Sequence, residues 1–253
     1  YAVKVLGADG SGYLDGIIAG LDWVTARAGQ ISVANMSLGG QGISSAYQAA
    51  IQRCVDSGVV VVVAAGNESM DVYGSDAAFN TGDEIIPAAY PEAMTISALN
   101  DADGVPGGDS FASFSNYSAN VVSGNPVQSS SNAIDLIMPG VGILSTFPVD
   151  QTGYNGLAVG DGTSMASPHA AGLVARYIAE FGNAVDSAGV YAIRQAVIDG
   201  YSLADYYSGD PDSAWETVGW AGATRDPITG TEPTPEPTPE PTPEPTPEPT
   251  PEP

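Results

Sequence analysis

Apolar residues along the chain alternate between short unbroken runs and longer stretches with helical spacing. The unbroken runs predict strands at 2–6, 31–38, 59–65, 93–99 and 134–138, with a further short strand at 111–114. The helical spacing predicts helices at about 14–24, 46–56, 164–180 and 187–199. Because predicted strands and helices alternate, the pattern favours an open, mostly parallel α/β sheet.

The run Val59 to Ala65 is rich in β-branched residues and unbroken by polar ones, which is typical of a strand buried on both faces of a parallel sheet. Functional residues of such sheets collect at the carboxyl ends of the strands. Three loops lie there by this reading: 7–12, 37–40 and 66–68. These loops are therefore the first candidates for functional residues.

Composition excludes several classes of function. The chain has 253 residues, six basic against 30 acidic residues and a formal charge of −24, so phosphate backbones and anionic membrane surfaces would repel it. The longest apolar run, 59–65, is far shorter than the roughly 20 residues that span a bilayer. Cys54 is the only cysteine, which excludes an internal disulfide and a cysteine-based zinc site.

The last segment, Thr231 to Pro253, repeats Pro-Thr-Pro-Glu and differs in composition from everything before it. Closely spaced prolines remove amide donors and fix φ, so we expect an extended, disordered or polyproline-like linker at 231–253 and a folded domain at 1–230. A linker of this kind also leads us to expect a further C-terminal module beyond it.

The string Gly162-Thr163-Ser164-Met165-Ala166-Ser167-Pro168-His169 places a serine at the start of a predicted helix. Backbone N–H groups at that end of a helix lack intrahelical acceptors and suit a developing negative charge. A serine after Gly-Thr is, however, more commonly a simple helix cap. On these residues alone, both the nucleophile and the cap interpretation stay open.

Four motifs together resemble the subtilisin-like serine proteases, the subtilases of peptidase family S8. They lie in the order found in that family and are located at 2–12, 35–40, 61–68 and 162–169. The resemblance implies an α/β, three-layer subtilisin-like fold with a mostly parallel central sheet. It also implies a secreted, monomeric serine endopeptidase that acts on polypeptide substrates, needs no cofactor for catalysis and has room for a structural Ca²⁺ ion.

The resemblance also assigns roles to residues. Ser164 matches the nucleophile, and Asn67 matches the side-chain donor of the oxyanion hole. The expected substrate-binding residues form two edges of a groove and the walls of the primary specificity pocket: Gly10, Ser11, Gly12, Ser37, Leu38, Gly39, Ala64, Gly66 and Glu68. Leu14, Ile17 and Leu38 fit either an apolar side-chain pocket of that groove or ordinary core packing.

A weak cation site of some subtilases is matched by the carbonyls of Ala88, Tyr90 and Ala93 with the carboxylate of Asp135. Oxygen ligands of this kind suit a hard cation such as Ca²⁺. A solvated surface is the alternative interpretation. We therefore assign no residue as a metal ligand.

The chain departs from the family pattern in its triad. The family's catalytic Asp and His precede the first strand seen here, and the only histidine is His169, five residues after Ser164. Five residues at about 100° each place it roughly 140° around the helix, so it matches the family's structural histidine instead. We expect the chain to resemble the C-terminal two-thirds of a protease domain, without the first strands of the sheet, and to be inactive alone.

Two alternatives to a protease remain to be weighed. A subtilase-like module that binds extended peptides without cleaving them fits the same motifs. An α/β-hydrolase is excluded, because that fold requires an Asp and then a His after the nucleophile and no histidine follows Ser164 at a usable distance.

Overall fold

The computed structural model describes residues 1–76, 78–101, 108–119, 125–129, 133–147, 156–204, 207–212 and 214–221. The helices of these segments are α1 (Leu14–Thr25), α2 (Ser45–Asp56), α3 (Thr163–Phe181) and α4 (Ser187–Gly200). The strands are β1 (Val33–Met36), β2 (Gly40–Gln41), β3 (Val60–Ala64), β4 (Ile85–Ile86), β5 (Met94–Asn100), β6 (Ser110–Phe111), β7 (Leu136–Pro139), β8 (Ile143–Thr146), β9 (Leu157–Gly160), β10 (Ser202–Leu203) and β11 (Val218–Gly219). The predicted linker at 231–253 and the boundary before it lie outside the described residues.

The central sheet has the strand order β1-β3-β5-β7-β11-β10, and β6 pairs with β5. The neighbours from β1 to β11 are parallel, while β10 and β6 pair in the antiparallel sense. Two small antiparallel sheets, β2 with β4 and β8 with β9, lie apart from it. The predicted mostly parallel α/β sheet is confirmed.

Burial explains why these residues form the centre of the sheet. Every residue of β3 is buried, as its unbroken apolar sequence predicts. Helix α3 packs across β1, β3, β5 and β7, and it can approach them closely because small residues, Ala166 and Ala170, face the sheet with no exposed surface. Helix α2 packs on β3 and against α1, and the side chain of Ser44 caps its first turn by accepting from the N–H of Tyr47 at 3.2 Å.

The predicted strand at 2–6 is wrong, since this segment forms no strand. Val3 and Val5 line a cavity of about 590 Å³, and residues 33–36 of β1 line the same cavity. We call this space the strand-edge cavity. β1 is the last strand on that side of the sheet, and no described strand pairs with its outer edge. A strand requires a hydrogen-bonded neighbour, and the apolar alternation of 2–6 cannot supply one.

Candidate active site

Ser164 is the second residue of α3 and is half-buried. Its backbone N–H belongs to the first turn, where no carbonyl of the helix can accept it. Its carbonyl accepts a hydrogen bond from the hydroxyl of Ser37 at 2.8 Å, and that hydroxyl also lies 3.0 Å from Oγ of Ser167. Ser37, which follows β1, therefore fastens the start of α3 to the carboxyl end of the sheet.

Asn67 follows β3 and is held by Thr163, the residue before Ser164. The carboxamide oxygen of Asn67 accepts from the Thr163 N–H at 2.8 Å and from the Thr163 hydroxyl at 3.0 Å. Because Oδ1 is occupied in this way, Nδ2 is left as the free donor of the carboxamide. A Cβ built on Gly162 would lie 3.7 Å from Nδ2 of Asn67 and 3.6 Å from the nitrogen of Ser164, so both donors flank one small space at the start of α3.

Asn116 organises the loop that carries Asn67, and no sequence motif had indicated this residue. Its side chain is buried, donates to the carbonyl of Ala65 at 3.0 Å and accepts from the N–H groups of Glu68 at 3.0 Å and Met70 at 3.1 Å. Gly66 has φ +106°, and a Cβ there would lie 2.3 Å from Nδ2 of Asn116, so only glycine fits. Asn116 is 49 positions from Asn67 along the chain, too far for any local spacing rule to connect them.

The two predicted edges of the substrate groove face one cavity of about 570 Å³, here called the groove cavity. Residues 10–12 and residues 37–39 both line this cavity. Leu14, Ile17 and Leu38 also line this cavity. Ile17 is at the same time a buried residue of the hydrophobic core and Leu38 packs against that core, so pocket lining and core packing both apply to these two residues.

The residues predicted to form the primary pocket lie along the end of β3. Ala64 is the last residue of that strand, Gly66 is half-buried and Glu68 is exposed. The carboxylate of Glu68 is tied to the loop, because its Oε2 accepts from the N–H of Asn67 and from Nδ2 of Asn116, both at 2.8 Å. These bonds hold Glu68 beside Asn67 and Asn116.

His169 is exposed on α3, and its Nδ1 lies 2.8 Å from the carbonyl of Met165, one turn earlier on the same helix. This nitrogen therefore bonds within the helix. The structural role that the family resemblance implies for His169 stays a prediction.

The oxygens of the suggested cation site are already engaged within the protein. Both carboxylate oxygens of Asp135 bind Nη2 of Arg194, at 2.9 and 3.2 Å, and Thr95 adds its N–H at 2.8 Å. The carbonyl of Ala88 accepts from the hydroxyl of Thr95 at 2.9 Å, and that of Tyr90 from the N–H of Ala93 at 3.0 Å. The residues thus do not fit an open calcium site, since a guanidinium supplies the positive charge.

Burial dominates the electrostatics of this ion pair. Complete burial raises the pKa of the Asp135 carboxyl, and the guanidinium of Arg194 and the N–H of Thr95 oppose that rise. Arg194 is itself buried and also donates to the carbonyls of Pro91 and Glu92, at 2.9 and 3.1 Å. The pair joins α4 to the start of β7, and the carbonyl bonds of Arg194 join α4 to the segment that precedes β5.

The described residues contain neither a helix that could span a membrane nor a cluster of metal-ligating side chains. No helix in this part of the chain has the length and apolarity needed to cross a bilayer. Within the same segments, no three or more His, Cys, Asp or Glu side chains converge as a metal site would require.

Known proteins resemble this chain in both sequence and fold. A sequence model described as the subtilase family matches residues 1–213. The chain is 36% identical over 188 residues to a cuticle-degrading serine protease of Arthrobotrys oligospora, covering 74% of this chain and 38% of that protein. It is 37% identical over 187 residues to an extracellular serine proteinase of a Thermus species, covering 74% of this chain and 38% of that one.

A solved structure, described as a cold adapted subtilisin-like serine proteinase, superimposes with a TM-score of 0.66 at 31% sequence identity. The match covers 87% of this chain and 66% of that one. The chain thus spans less than two-fifths of the length of these two curated relatives. With a family match over residues 1–213 and a shared fold, the chain belongs to the subtilase family of serine peptidases.

Proposed function

We propose that this chain carries the nucleophile and the oxyanion hole of a serine endopeptidase. The observation that supports it most directly is the convergence of Nδ2 of Asn67 and the N–H of Ser164 on one space beside Gly162. Two donors fixed in advance around a developing oxyanion are a large source of rate acceleration in acyl transfer.

In this mechanism an extended substrate lies between residues 10–12 and 37–39, whose glycines allow close backbone approach. Oγ of Ser164 attacks the carbonyl carbon, and the electron pair of the C=O bond moves to the oxygen facing Asn67. Collapse of this intermediate expels the amine and leaves an ester on Ser164, which water then hydrolyses. Glu68 and Ala64, on the wall of the primary pocket, favour a basic or polar substrate side chain.

The step that this chain does not complete is removal of the proton from Ser164. His169 is the one histidine of the sequence, and its Nδ1 bonds to the carbonyl of Met165. We propose that the catalytic His and Asp, together with the first strands of the sheet, are supplied by polypeptide outside these 253 residues. The strand-edge cavity beside β1 supports this, because an extended segment could pair there with the outer edge of β1.

The second candidate function is that of a module that binds extended peptides without cleaving them. This candidate is favoured because His169 is the one histidine of the sequence. The gene sequence upstream of Tyr1 separates the two candidates. A strand ending in Asp, followed by a His-Gly motif, would establish the protease, and a gene that encodes neither would establish the binding module.

We also propose that the protein is secreted and monomeric, and that its substrates are polypeptides. Secretion is supported by the Thermus relative, which is named an extracellular proteinase. A C-terminal module beyond the Pro-Thr-Pro-Glu repeat belongs to the same proposal, as does catalysis without a cofactor.

A serine-directed fluorophosphonate tests the assignment of roles. We expect the 253-residue chain to label no faster than its Ser164→Ala variant, because no base activates the hydroxyl. Stoichiometric burst labelling of the wild-type chain alone would overturn this. In a gene product that includes the upstream segment, Ser164 should label rapidly, and Asn67→Ala should lower kcat by about 10²–10³-fold, the range measured for the corresponding asparagine of subtilisin, a member of this family.

A further inference from the structure

The hydroxyl of Ser37 makes three polar contacts that join β1 to the first turn of α3. It lies 2.8 Å from the carbonyl oxygen of Ser164, 3.0 Å from Oγ of Ser167 and 3.0 Å from Nδ2 of Asn35. A carboxamide nitrogen can only donate and a carbonyl can only accept, while a serine hydroxyl has one proton and two lone pairs. The proton of Ser37 therefore goes to the carbonyl of Ser164, and the oxygen of Ser37 accepts from Asn35 and Ser167.

Asn35 lies where β1 faces the strand-edge cavity. Side chains two residues apart on a strand share a face, so Asn35 and Ser37 lie on the same side of the chain. Both residues line the strand-edge cavity, and Ser37 lines the groove cavity as well. The pair thus connects the strand-edge cavity to Ser164, the proposed nucleophile.

Asn35 differs in chemistry from the rest of its strand. The other three residues of β1 are apolar, whereas Asn35 is polar and exposed. Among the described residues, Ser37 is the one partner of its side chain. A polar side chain whose described partner contacts Ser164 indicates an effect on Ser164, because it adds no apolar packing to the sheet.

We propose that Asn35 is a positioning residue for Ser164, that it acts through Ser37, and that its effect grows when an extended segment fills the strand-edge cavity. The inference rests on the proposed function, because it takes Ser164 as the nucleophile and the cavity as the place of an added strand. Donation from Asn35 strengthens the bond that the Ser37 hydroxyl gives to Ser164, since linked hydrogen bonds polarise one another. Water competes for an exposed carboxamide, and a segment that covers Asn35 removes that competition.

Replacing this donor with an acceptor tests the link in the 253-residue chain. In Asn35→Asp the ionised carboxylate takes the proton of Ser37, because a hydrogen bond to a charged oxygen is the stronger one, and the carbonyl of Ser164 loses its donor. We expect the carbonyl ¹³C resonance of Ser164 to move upfield as the pH rises from about 3 to about 6, through the titration of an aspartate. At the acidic end the protonated carboxyl donates again, so the resonance should return towards its wild-type position. A pH profile identical to that of the wild type would overturn the inference.

Two further variants control for the added charge. Gln30 is the other carboxamide that lines the strand-edge cavity, and it accepts from the hydroxyl of Tyr1 at 3.0 Å. Gln30→Glu places a carboxylate in the same cavity without a bond to Ser37, and Asn35→Asp/Ser37→Ala keeps the new carboxylate but removes the link. In both variants the Ser164 resonance should follow the wild-type pH profile. An upfield shift in either one would show that the charge acts through space, and the role of Ser37 would be refuted.

Kinetics of a gene product that includes the upstream segment test the consequence for catalysis. Asn35→Leu removes the donor and keeps a similar volume, so we expect kcat to fall about three- to ten-fold, the size of one hydrogen bond. KM should stay unchanged, because Asn35 lies outside the residues that line the groove cavity. Asn35→Leu/Ser37→Ala should be no slower than Ser37→Ala alone, and additive losses would contradict action through Ser37. If the wild-type gene product is inactive, the proposed function fails, and the Ser164 resonance in the 253-residue chain alone decides whether Asn35 acts on Ser164.

Discussion

Thr163 donates two hydrogen bonds to the carboxamide oxygen of Asn67, one from its N–H at 2.8 Å and one from its hydroxyl at 3.0 Å. The same hydroxyl accepts from the N–H of Gly66 at 3.1 Å. Thr163, which precedes the proposed nucleophile, thus fixes both the loop after β3 and the direction of the carboxamide. The sequence alone assigns Thr163 no role, whereas the structure shows that it orients the side chain of Asn67, the proposed oxyanion donor.

Thr163→Val removes that hydroxyl while keeping the shape of a side chain with no exposed surface. The N–H of Gly66 then loses its acceptor, and we expect a loss of about 1–3 kcal/mol in the free energy of unfolding. Urea denaturation measures the loss, and amide hydrogen exchange at Gly66 should become faster. Thr163→Ser, which keeps the hydroxyl, is the matched control and should retain most of the stability. A loss in Thr163→Ser with none in Thr163→Val would show that packing of the methyl group, and not the hydroxyl, sets the cost.

We expect both Asn116→Ala and Asn116→Asp to lower the free energy of unfolding, for different reasons. Asn116→Ala leaves the N–H groups of Glu68 and Met70 without acceptors, at an expected cost of about 1–3 kcal/mol in unfolding free energy. Asn116→Asp keeps those acceptors but turns the group facing the carboxylate of Glu68 into a second carboxylate. Aspartate should therefore cost more than alanine at pH 8, and the difference should shrink as the pH falls and the acids protonate. A difference that does not change between pH 8 and pH 4 would contradict the proposed charge repulsion.

Arg194→Met should be the most damaging of these changes, because it leaves the carboxylate of Asp135 buried without its counter-charge. Removing one partner of a buried ion pair costs about 3–5 kcal/mol. Without Arg194 the folded pKa of Asp135 lies further above its unfolded value. The folded state then binds the extra proton, so its stability falls as the pH rises through that interval.

Urea denaturation of wild type and Arg194→Met at several pH values measures this effect. The stability gap between them should widen from pH 5 to pH 8. The double variant Arg194→Met/Asp135→Leu should recover part of the loss, since it no longer buries a lone charge. Additive losses in the double variant would show that the two residues act independently.

Asp212 is predicted to give the protein a titration near pH 6. Burial, with help from the neighbouring carboxylate of Asp210, raises the pKa of Asp212 to about 6 from an ordinary value of 3.8. Because the folded pKa is the higher one, the stabilising contribution of the protonated form is complete below about pH 4 and is lost as the pH rises towards 6.

The carboxyl ¹³C resonance of Asp212 reports this pKa directly. Chemical denaturation between pH 4 and pH 7 should show wild-type stability falling relative to Asp212→Asn, which cannot ionise. An Asp212 resonance that titrates near pH 4 would contradict the prediction.

The sequence predicted what depends on neighbouring residues and missed what depends on distant ones. The β-branched run 59–65 predicted β3, because a strand that is buried on both faces is apolar throughout. Helical spacing after Ser164 predicted α3, because a helix that is buried on one face repeats its apolar residues with the helical period. The segment 2–6 has the apolar content of a strand, yet strand formation requires a hydrogen-bonded neighbour, which no property of those five residues reveals.

The candidate site likewise contains residues that the sequence predicted and residues that it did not. Motifs pointed to Ser164 and Asn67, and the structure adds the partners that orient them. Asn116 could not be found from the sequence, since its significance lies in which buried atoms it contacts.

The outer edge of β1 has a consequence for the behaviour of the chain in solution. No described strand pairs with the N–H and C=O groups along this edge. A second copy of the chain can therefore add a strand there. The formal charge of −24 keeps two copies apart, but at about 0.15 M salt that repulsion reaches only about 8 Å. A higher salt concentration therefore promotes association of this chain when it is purified alone. Each increase in ionic strength weakens the repulsion that prevents edge-to-edge association, while the apolar lining of the strand-edge cavity continues to favour it.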